Sequence, residues 1–137
     1  MIKRGVIINI VSIILGGFLG SIFRFYTGEW VKHQNAGFPI GTFLINVVGC
    51  FFLGWLLTYF AKKKHMNQQI VLFLGTGFTG SFTTFSTFSV ETFILVERGH
   101  VILAASYVLL SVLLGLSFAF AGKALADLLL TKHGDSA

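Results

Sequence analysis

The sequence predicts an all-α membrane protein with four transmembrane helices, because its composition is strongly apolar and the apolar residues form four long runs. Of its 137 residues, 55% are hydrophobic and only 11% are charged, whereas a soluble domain carries about 25% charged residues. The mean hydropathy is +0.85. This composition excludes a water-soluble globular domain and predicts a multi-pass protein of the cell membrane.

The four runs contain no Asp, Glu, Lys or Arg, and each is long enough to cross a bilayer. A transmembrane helix needs roughly 18 to 20 apolar residues to span about 30 Å of hydrocarbon. The runs cover residues 5–23, 38–61, 66–90 and 101–122. They predict one transmembrane domain, residues 1–137, with helices at about 5–27, 38–61, 67–96 and 101–126. A β-barrel is excluded because its strands alternate apolar and polar residues.

The first two predicted helices carry glycines at spacings that favour close packing. Gly16 and Gly20 lie four residues apart in the first helix, and Gly49 and Gly54 lie five apart in the second. Such glycines let helix backbones approach each other, since in lipid the hydrophobic effect does not press helices together. The same close packing can also enclose a narrow path lined by side chains.

The third run differs from the others because it is dense in hydroxyl groups. Between Thr76 and Ser89 it holds eight Ser or Thr residues and two Gly. Glycine and β-branched threonine are poor helix formers, and the Ser and Thr hydroxyls compete for backbone hydrogen bonds. We expect this helix to break near residues 77–83. Irregular backbone is tolerated in a membrane only where protein buries it or where it lines a polar cavity.

Few other polar groups lie within the apolar runs. Asn46 is the only amide deep in the second run, Arg24 follows the first, and Glu91 follows the third. Tyr107 and Ser111 lie four residues apart on one face of the fourth helix. A purely structural interpretation is also open: Asn46 could form a hydrogen bond between helices, and Arg24 and Glu91 could lie at the membrane interface.

The pattern argues against an enzyme and against a nucleic-acid-binding protein. The runs contain no paired carboxylates and no Cys/His arrangement, and the only cysteine, Cys50, lies inside an apolar run. The net charge of +5 does not come from a basic folded face. Hydroxyl groups, one amide and phenylalanine ring edges are donors or partial positive charges, which suit a small anion.

Three segments resemble the signature blocks of the Fluc (CrcB) family of fluoride-specific ion channels. They are GGFLGSIFRF at 16–25, GTFLINVVGCFFLG at 41–54 and GTGFTGSFTTFSTFSVET at 75–92. The resemblance implies an antiparallel, dual-topology dimer of four-helix subunits with a broken third helix. It also implies two fluoride pores and one buried sodium ion at the dimer interface.

The resemblance assigns roles by motif position. Backbone carbonyls of Gly80 and Thr83 would hold the sodium, a structural ion that is not transported. Arg24 and Glu91 would lie at the pore vestibule. Gly115 stands where some relatives carry a further hydroxyl, which shortens the polar face of the fourth helix. The residues implied for the fluoride pore are Asn46, Phe85, Ser86, Thr87, Phe88, Tyr107 and Ser111.

A channel of this kind would let cytoplasmic fluoride leave passively down its electrochemical gradient and so lower fluoride toxicity. One alternative is a small four-helix multidrug-type exporter, which needs a buried carboxylate on its first helix; residues 5–23 contain none. The other alternative is a membrane subunit that transports nothing, and such a subunit does not require a hydroxyl-rich break.

The charged residues of the connections predict a preferred orientation. If both termini are cytoplasmic, seven Lys or Arg residues lie on that side and three on the other. Because Lys and Arg favour the cytoplasmic side, we expect this chain to prefer one orientation and to pair with a second, oppositely biased homologue; a homodimer of two oppositely oriented copies is the alternative. The seven are Lys3, Arg4, Lys62, Lys63, Lys64, Lys123 and Lys132, and the three are Arg24, Lys32 and Arg98.

Overall fold

The computed structural model describes residues 4–32, 37–63 and 67–134. All regular secondary structure in these ranges is helical. Lys3 and Lys64, which enter the charge count above, lie outside the described residues. The elements in chain order are α1 (Arg4–Lys32), α2 (Ile40–Lys62), α3 (Gln68–Val71), a π-helical segment (Leu72–Thr79), α4 (Gly80–Phe82), α5 (Phe85–Glu97) and α6 (Val101–Gly134).

Three of these helices are long and apolar enough to cross a membrane as single elements: α1, α2 and α6. Helix α1 continues to Lys32, beyond the predicted end at residue 27, because the polar residues after Arg24 keep the helical backbone instead of forming a loop. Helix α6 likewise continues to Gly134, beyond the predicted end at residue 126. The chain is therefore more helical at these ends than its hydropathy indicates.

The third apolar run is divided among several elements instead of forming one helix over 67–96. The backbone is π-helical over Leu72–Thr79, and it is extended at Thr83 and Thr84, with ψ angles of 155° and 118°. The Thr79 hydroxyl donates to the carbonyl of Leu74, five residues earlier, at 2.7 Å. This bond matches the wider π-helical turn and illustrates how hydroxyls compete with regular α-helical hydrogen bonding.

The helices pack in two main pairs, and glycines make both contacts close. Helix α2 packs along α6, and α1 packs along the π-helical segment. A Cβ atom on Gly54 would overlap the carbonyl oxygen of Ala119, and one on Gly20 would overlap that of Phe78. Only glycine allows the two backbones to approach this closely, as the sequence predicts for small residues in a membrane bundle.

The turn between α5 and α6 ends one helix and positions the next. Gly99 has a positive φ of 79°, and its N–H donates to the carbonyl of Val96 at 2.9 Å. The N–H of His100 donates to the carbonyl of Leu95 at 2.9 Å, which completes a Schellman motif. The turn brings Leu95 against Tyr107 in a buried cluster, so α6 lies beside the polar face of α5.

One ion pair connects the end of α2 to the last turns of α6. The Lys62 ammonium lies 2.8 Å from a carboxylate oxygen of Asp127. Lys62 and Asp127 therefore lie at the same end of the bundle, as the predicted topology requires. An exposed pair of this kind stabilises the fold by no more than about 1 kcal/mol.

Close packing at Gly20 predicts a specific effect of one added methyl group. Gly20→Ala would force a Cβ atom against the Phe78 carbonyl, and overpacking of this kind costs about 1 to 3 kcal/mol. We expect a lower unfolding temperature for the purified protein in detergent. Gly5→Ala is the matched control, because no described atom lies within 4 Å of its Cβ position. Equal unfolding temperatures for both variants would contradict the close contact.

Candidate functional site

Two cavities adjoin the extended residues of the third run, and both are lined by Thr84. The inner cavity has a volume of about 340 Å³. It is lined by Asn46, Gly49, Cys50, Leu53, Thr83, Thr84, Phe85, Phe88, Ser111 and Val112. The second cavity, here called the vestibule, has a volume of about 430 Å³. Its polar lining residues are Arg24, Glu29, Thr42, Thr84, Thr87, Glu91 and Arg98.

Thr84 lines both cavities and is held by the side-chain amide of Asn46. The backbone N–H of Thr84 donates to Asn46 Oδ1 at 2.9 Å. The Asn46 side-chain nitrogen donates back to the Thr84 carbonyl at 3.1 Å. The amide thus satisfies both backbone groups of a buried residue that lies outside regular helix. Because an amide nitrogen carries two hydrogens, Asn46 keeps one further donor beside the inner cavity.

The Thr84 hydroxyl caps the start of α5. It accepts a hydrogen bond from the backbone N–H of Thr87 at 3.1 Å and donates to the Thr87 hydroxyl at 3.0 Å. It also lies 3.2 Å from the Ser86 hydroxyl. Threonine is a favoured N-cap because its oxygen satisfies an amide that the first helical turn leaves without a partner. Ser86 and Thr87 are both exposed beside this cap.

Glu91 joins three helices through two hydrogen bonds at the vestibule. Its Oε1 accepts from the Thr42 hydroxyl on α2 at 2.9 Å, and its Oε2 accepts from the Tyr107 hydroxyl on α6 at 2.9 Å. Tyr107 is fully buried, and Thr42 is buried as well. Both carboxylate oxygens of Glu91 are therefore engaged, and this arrangement fixes α5 against α2 and α6.

The two phenylalanines of the motif lie differently. Phe88 is half-buried, and its ring centroid lies 5.0 Å from that of Tyr107. Phe85 is 81% exposed, although its ring centroid lies only 6.0 Å from that of Phe88. Both rings line the inner cavity. Such a large exposed fraction indicates that the Phe85 ring contacts lipid or another chain.

Ser111 presents a hydroxyl to the inner cavity. Its Oγ is buried, and among the described residues it has no hydrogen-bond partner. Other α6 hydroxyls bond to their own helix, as Ser117 does to the Leu113 carbonyl at 2.8 Å. One turn after Ser111, a Cβ atom on Gly115 would lie 3.4 Å from Cys50 Sγ. The polar face of α6 therefore ends against the Cys50 thiol.

The structure brings most of the predicted site residues to these two cavities. Asn46, Thr83, Phe85, Phe88 and Ser111 line the inner cavity, and Arg24, Thr87 and Glu91 line the vestibule. Ser86 and Tyr107 line neither cavity: the Ser86 hydroxyl lies beside that of Thr84, and the Tyr107 hydroxyl donates to Glu91. Gly80 lines neither cavity; it lies on α4, and its Cβ position has no described atom within 4 Å.

Four polar lining residues were not assigned to the site from the sequence: Glu29, Thr42, Thr84 and Arg98. Thr42 precedes Asn46 by four residues and so shares its face of α2, a signal that was present in the sequence. The role of Thr84 depends on a bond to another helix. No spacing along the chain distinguishes it from the neighbouring threonines.

Comparison with known proteins gives consistent results over most of the chain. Residues 11–123 match the family model described as CrcB-like protein, Camphor Resistance (CrcB). The chain is 51% identical to the Fluoride-specific ion channel FluC of Oceanobacillus iheyensis over 86% of this chain and 91% of that protein. It is 45% identical to the Fluoride-specific ion channel FluC 1 of Bacillus cereus strain ATCC 10987 over 91% of this chain and 93% of that protein. It is 41% identical to the Fluoride-specific ion channel FluC of Agrobacterium fabrum over 86% of this chain and 95% of that protein.

The Glu91 hydrogen bonds predict that the hydroxyls of Thr42 and Tyr107 stabilise the bundle. Hydrogen bonds to charged groups contribute about 1.5 to 3 kcal/mol, so Thr42→Val and Tyr107→Phe should each lower the unfolding temperature in detergent. Each should show coupling to Glu91→Gln in a double-mutant cycle. Ser106→Ala is the control, because its hydroxyl bonds only to its own helix. Additive effects in both cycles would contradict the arrangement.

Proposed function

We infer that this chain, which belongs to the CrcB family, is a fluoride-specific ion channel of the bacterial cell membrane and not an enzyme. Support comes from the family match over residues 11–123 and from the names of relatives that align with most of the chain. The alternative of a multidrug-type exporter has no such support. Its required carboxylate is absent from residues 5–23 of α1.

The observation that carries this function most directly is the buried hydroxyl of Ser111. A buried hydroxyl without a hydrogen bond costs about 1 to 3 kcal/mol, so it needs a partner that no described residue supplies. In the same cavity Asn46 has a further N–H donor. Together they offer two donors in one cavity, which suits a small anion.

The chemistry of the proposed path suits fluoride. Fluoride is small and strongly hydrated, so a path that removes its water must return hydrogen-bond donors along the way. We propose that hydroxyls of Ser86, Thr87 and Ser111 and the Asn46 amide do this. The ring edges of Phe85 and Phe88 add weak positive potential without a deep trap. Conduction needs binding that is strong enough for entry and weak enough for release.

We propose that the vestibule collects the anion. Its charged lining residues are Arg24 and Arg98 together with Glu29 and Glu91, and the two guanidinium groups would attract the anion. Both Glu91 oxygens accept hydrogen bonds. The two donors partly offset the negative charge that Glu91 presents to the cavity. Export requires no coupled energy source, since a potential of about 100 mV, negative inside, favours outward movement of one anion by roughly 2.3 kcal/mol.

We propose that two chains assemble in opposite orientations. The extensively exposed apolar side chains of α5 and α6, such as Phe93 at 65% and Ile102 at 86%, supply surface for a second subunit and for lipid. The interrupted third span would then be enclosed by protein from both sides, as irregular backbone in hydrocarbon requires. The partner is a second copy of this chain or a homologous subunit.

A structural sodium ion at this interface suits the carbonyls that the resemblance indicates. In a continuous α-helix the N–H of Thr84 would bond to the Gly80 carbonyl, and that of Thr87 to the Thr83 carbonyl. Here the first donates to Asn46 and the second to the Thr84 hydroxyl. Two carbonyls per subunit are thereby left for a hard cation, which prefers oxygen ligands. When bound, the ion supplies fixed positive charge and does not move.

Fluoride flux tests the proposed function. Liposomes loaded with potassium fluoride should release fluoride when they contain the protein and valinomycin, whereas chloride-loaded liposomes should not release chloride. Ser111→Ala should slow fluoride release by about tenfold or more, because a hydrogen bond to an ion contributes about 1.5 to 3 kcal/mol.

The Ser117→Ala variant controls for changes to α6, since that hydroxyl bonds only to its own helix. A fluoride electrode in the external solution records both rates. Equal release of chloride and fluoride would contradict a fluoride-specific channel. Unchanged release from Ser111→Ala would remove this hydroxyl from the path.

The unequal division of Lys and Arg predicts a preferred orientation in the cell membrane. A cysteine placed at either terminus, in a Cys50→Ala background, should react mainly from the cytoplasmic side. A thiol reagent that crosses the membrane should label the introduced cysteine completely from either side, which serves as the control. Equal labelling from both sides by an impermeant reagent would contradict a preferred orientation and would support pairing between copies of this chain.

A further inference from the structure

Two backbone amides next to the interruption are drawn away from their helical partners by side chains. Asn46 Oδ1 accepts the Thr84 N–H at 2.9 Å, and Thr84 Oγ1 accepts the Thr87 N–H at 3.1 Å. In uninterrupted helix these amides would bond to Gly80 and Thr83. The two carbonyls released are therefore the pair that the sodium site proposed above would use.

We infer that Asn46 and the Thr84 hydroxyl are positioning residues for the cation, because they keep the Gly80 and Thr83 carbonyls free to bind it. This inference rests on the proposed sodium site. It gives Asn46 a second role in addition to its role in the anion path. The Asn46 side-chain oxygen and one of its N–H groups bond to the backbone of Thr84, and its second N–H remains as a donor beside the inner cavity.

The geometry supports this assignment over simple helix packing. The Asn46 amide bonds both the N–H and the carbonyl of Thr84, so it substitutes for two helical hydrogen bonds at one residue. A packing residue needs only shape, which Gly49 supplies one turn later against the Thr83 side chain. Thr84 is 6% exposed, so water cannot readily replace these bonds.

The consequence is a physical link between the two ions. If Asn46 turned toward an anion and released Thr84, the Thr84 N–H could return to the Gly80 carbonyl and close one cation ligand. The sodium would therefore stabilise the arrangement in which Asn46 keeps Thr84 extended. By reciprocity of linked equilibria, the state of Asn46 must alter sodium affinity as much as sodium alters Asn46.

Sodium-dependent thermal unfolding tests this inference without measuring transport. The purified protein in detergent is heated in increasing sodium, with N-methyl-D-glucamine replacing it at constant ionic strength. The unaltered protein should unfold at higher temperature as sodium rises. In Asn46→Leu, which keeps the volume but removes both polar atoms, the half-maximal sodium concentration should increase at least tenfold. Thr58→Val is the control on α2, because the Thr58 hydroxyl bonds only to its own helix.

A second pair of variants keeps the test valid if Asn46→Leu does not fold. Thr84→Ala removes the oxygen that accepts the Thr87 N–H and should also raise the half-maximal sodium concentration. Thr84→Ser retains that oxygen and should restore the response. Rescue by serine supports the inference, since a merely structural loss of the methyl group would affect both variants.

The outcomes separate this inference from the proposals on which it rests. An unaltered protein without any sodium response would overturn the sodium site and this inference with it, while fluoride flux would still test the channel. A normal response in the unaltered protein together with an unchanged response in both Asn46→Leu and Thr84→Ala would overturn only the positioning role.

Discussion

Backbone polar groups in a membrane must find partners within the protein, and this constraint explains the arrangement around Thr84. Hydrocarbon offers no hydrogen bonds, so each exposed N–H or carbonyl costs several kcal/mol. At Thr84 the side chain of Asn46 supplies both partners, and at the start of α5 the Thr84 hydroxyl supplies one. The extended residues can exist at this position because these side chains replace the missing helical bonds.

Close helix packing places those side chains where the interruption needs them. Gly20 allows α1 to approach the backbone at Phe78, and Gly54 allows α2 to approach α6 at Ala119. Helix α2 then carries Asn46 to Thr84 and Thr42 to Glu91. A single face of α2 thus holds the inner cavity and the vestibule in a fixed relation. Glycine packing is in this sense a condition for the polar site and not a separate feature.

The sequence predicts the membrane class and names several residues that line the two cavities, but not the details that depend on tertiary contacts. Hydropathy identifies α1, α2 and α6, since length and apolarity are properties of local sequence. The end predicted for α1 from hydropathy, residue 27, is too early, because hydropathy records polarity and not backbone conformation. The helix continues through polar residues to Lys32. Motif resemblance indicates Asn46 and Ser111, which the structure brings to one cavity. The hydrogen-bonding role of Thr84 depends on another helix and could not be predicted.

Modification of Cys50 during a fluoride current tests most directly whether the inner cavity is the permeation route. Cys50 is the only cysteine of the sequence, and it lines that cavity. Silver ions bind soft thiolate ligands strongly, so they can be applied in fluoride and nitrate solutions to channels in a planar bilayer. We predict that silver abolishes the fluoride current and that Cys50→Ala channels continue to conduct in its presence. A current that persists after mass spectrometry has confirmed complete modification of Cys50 would contradict this prediction.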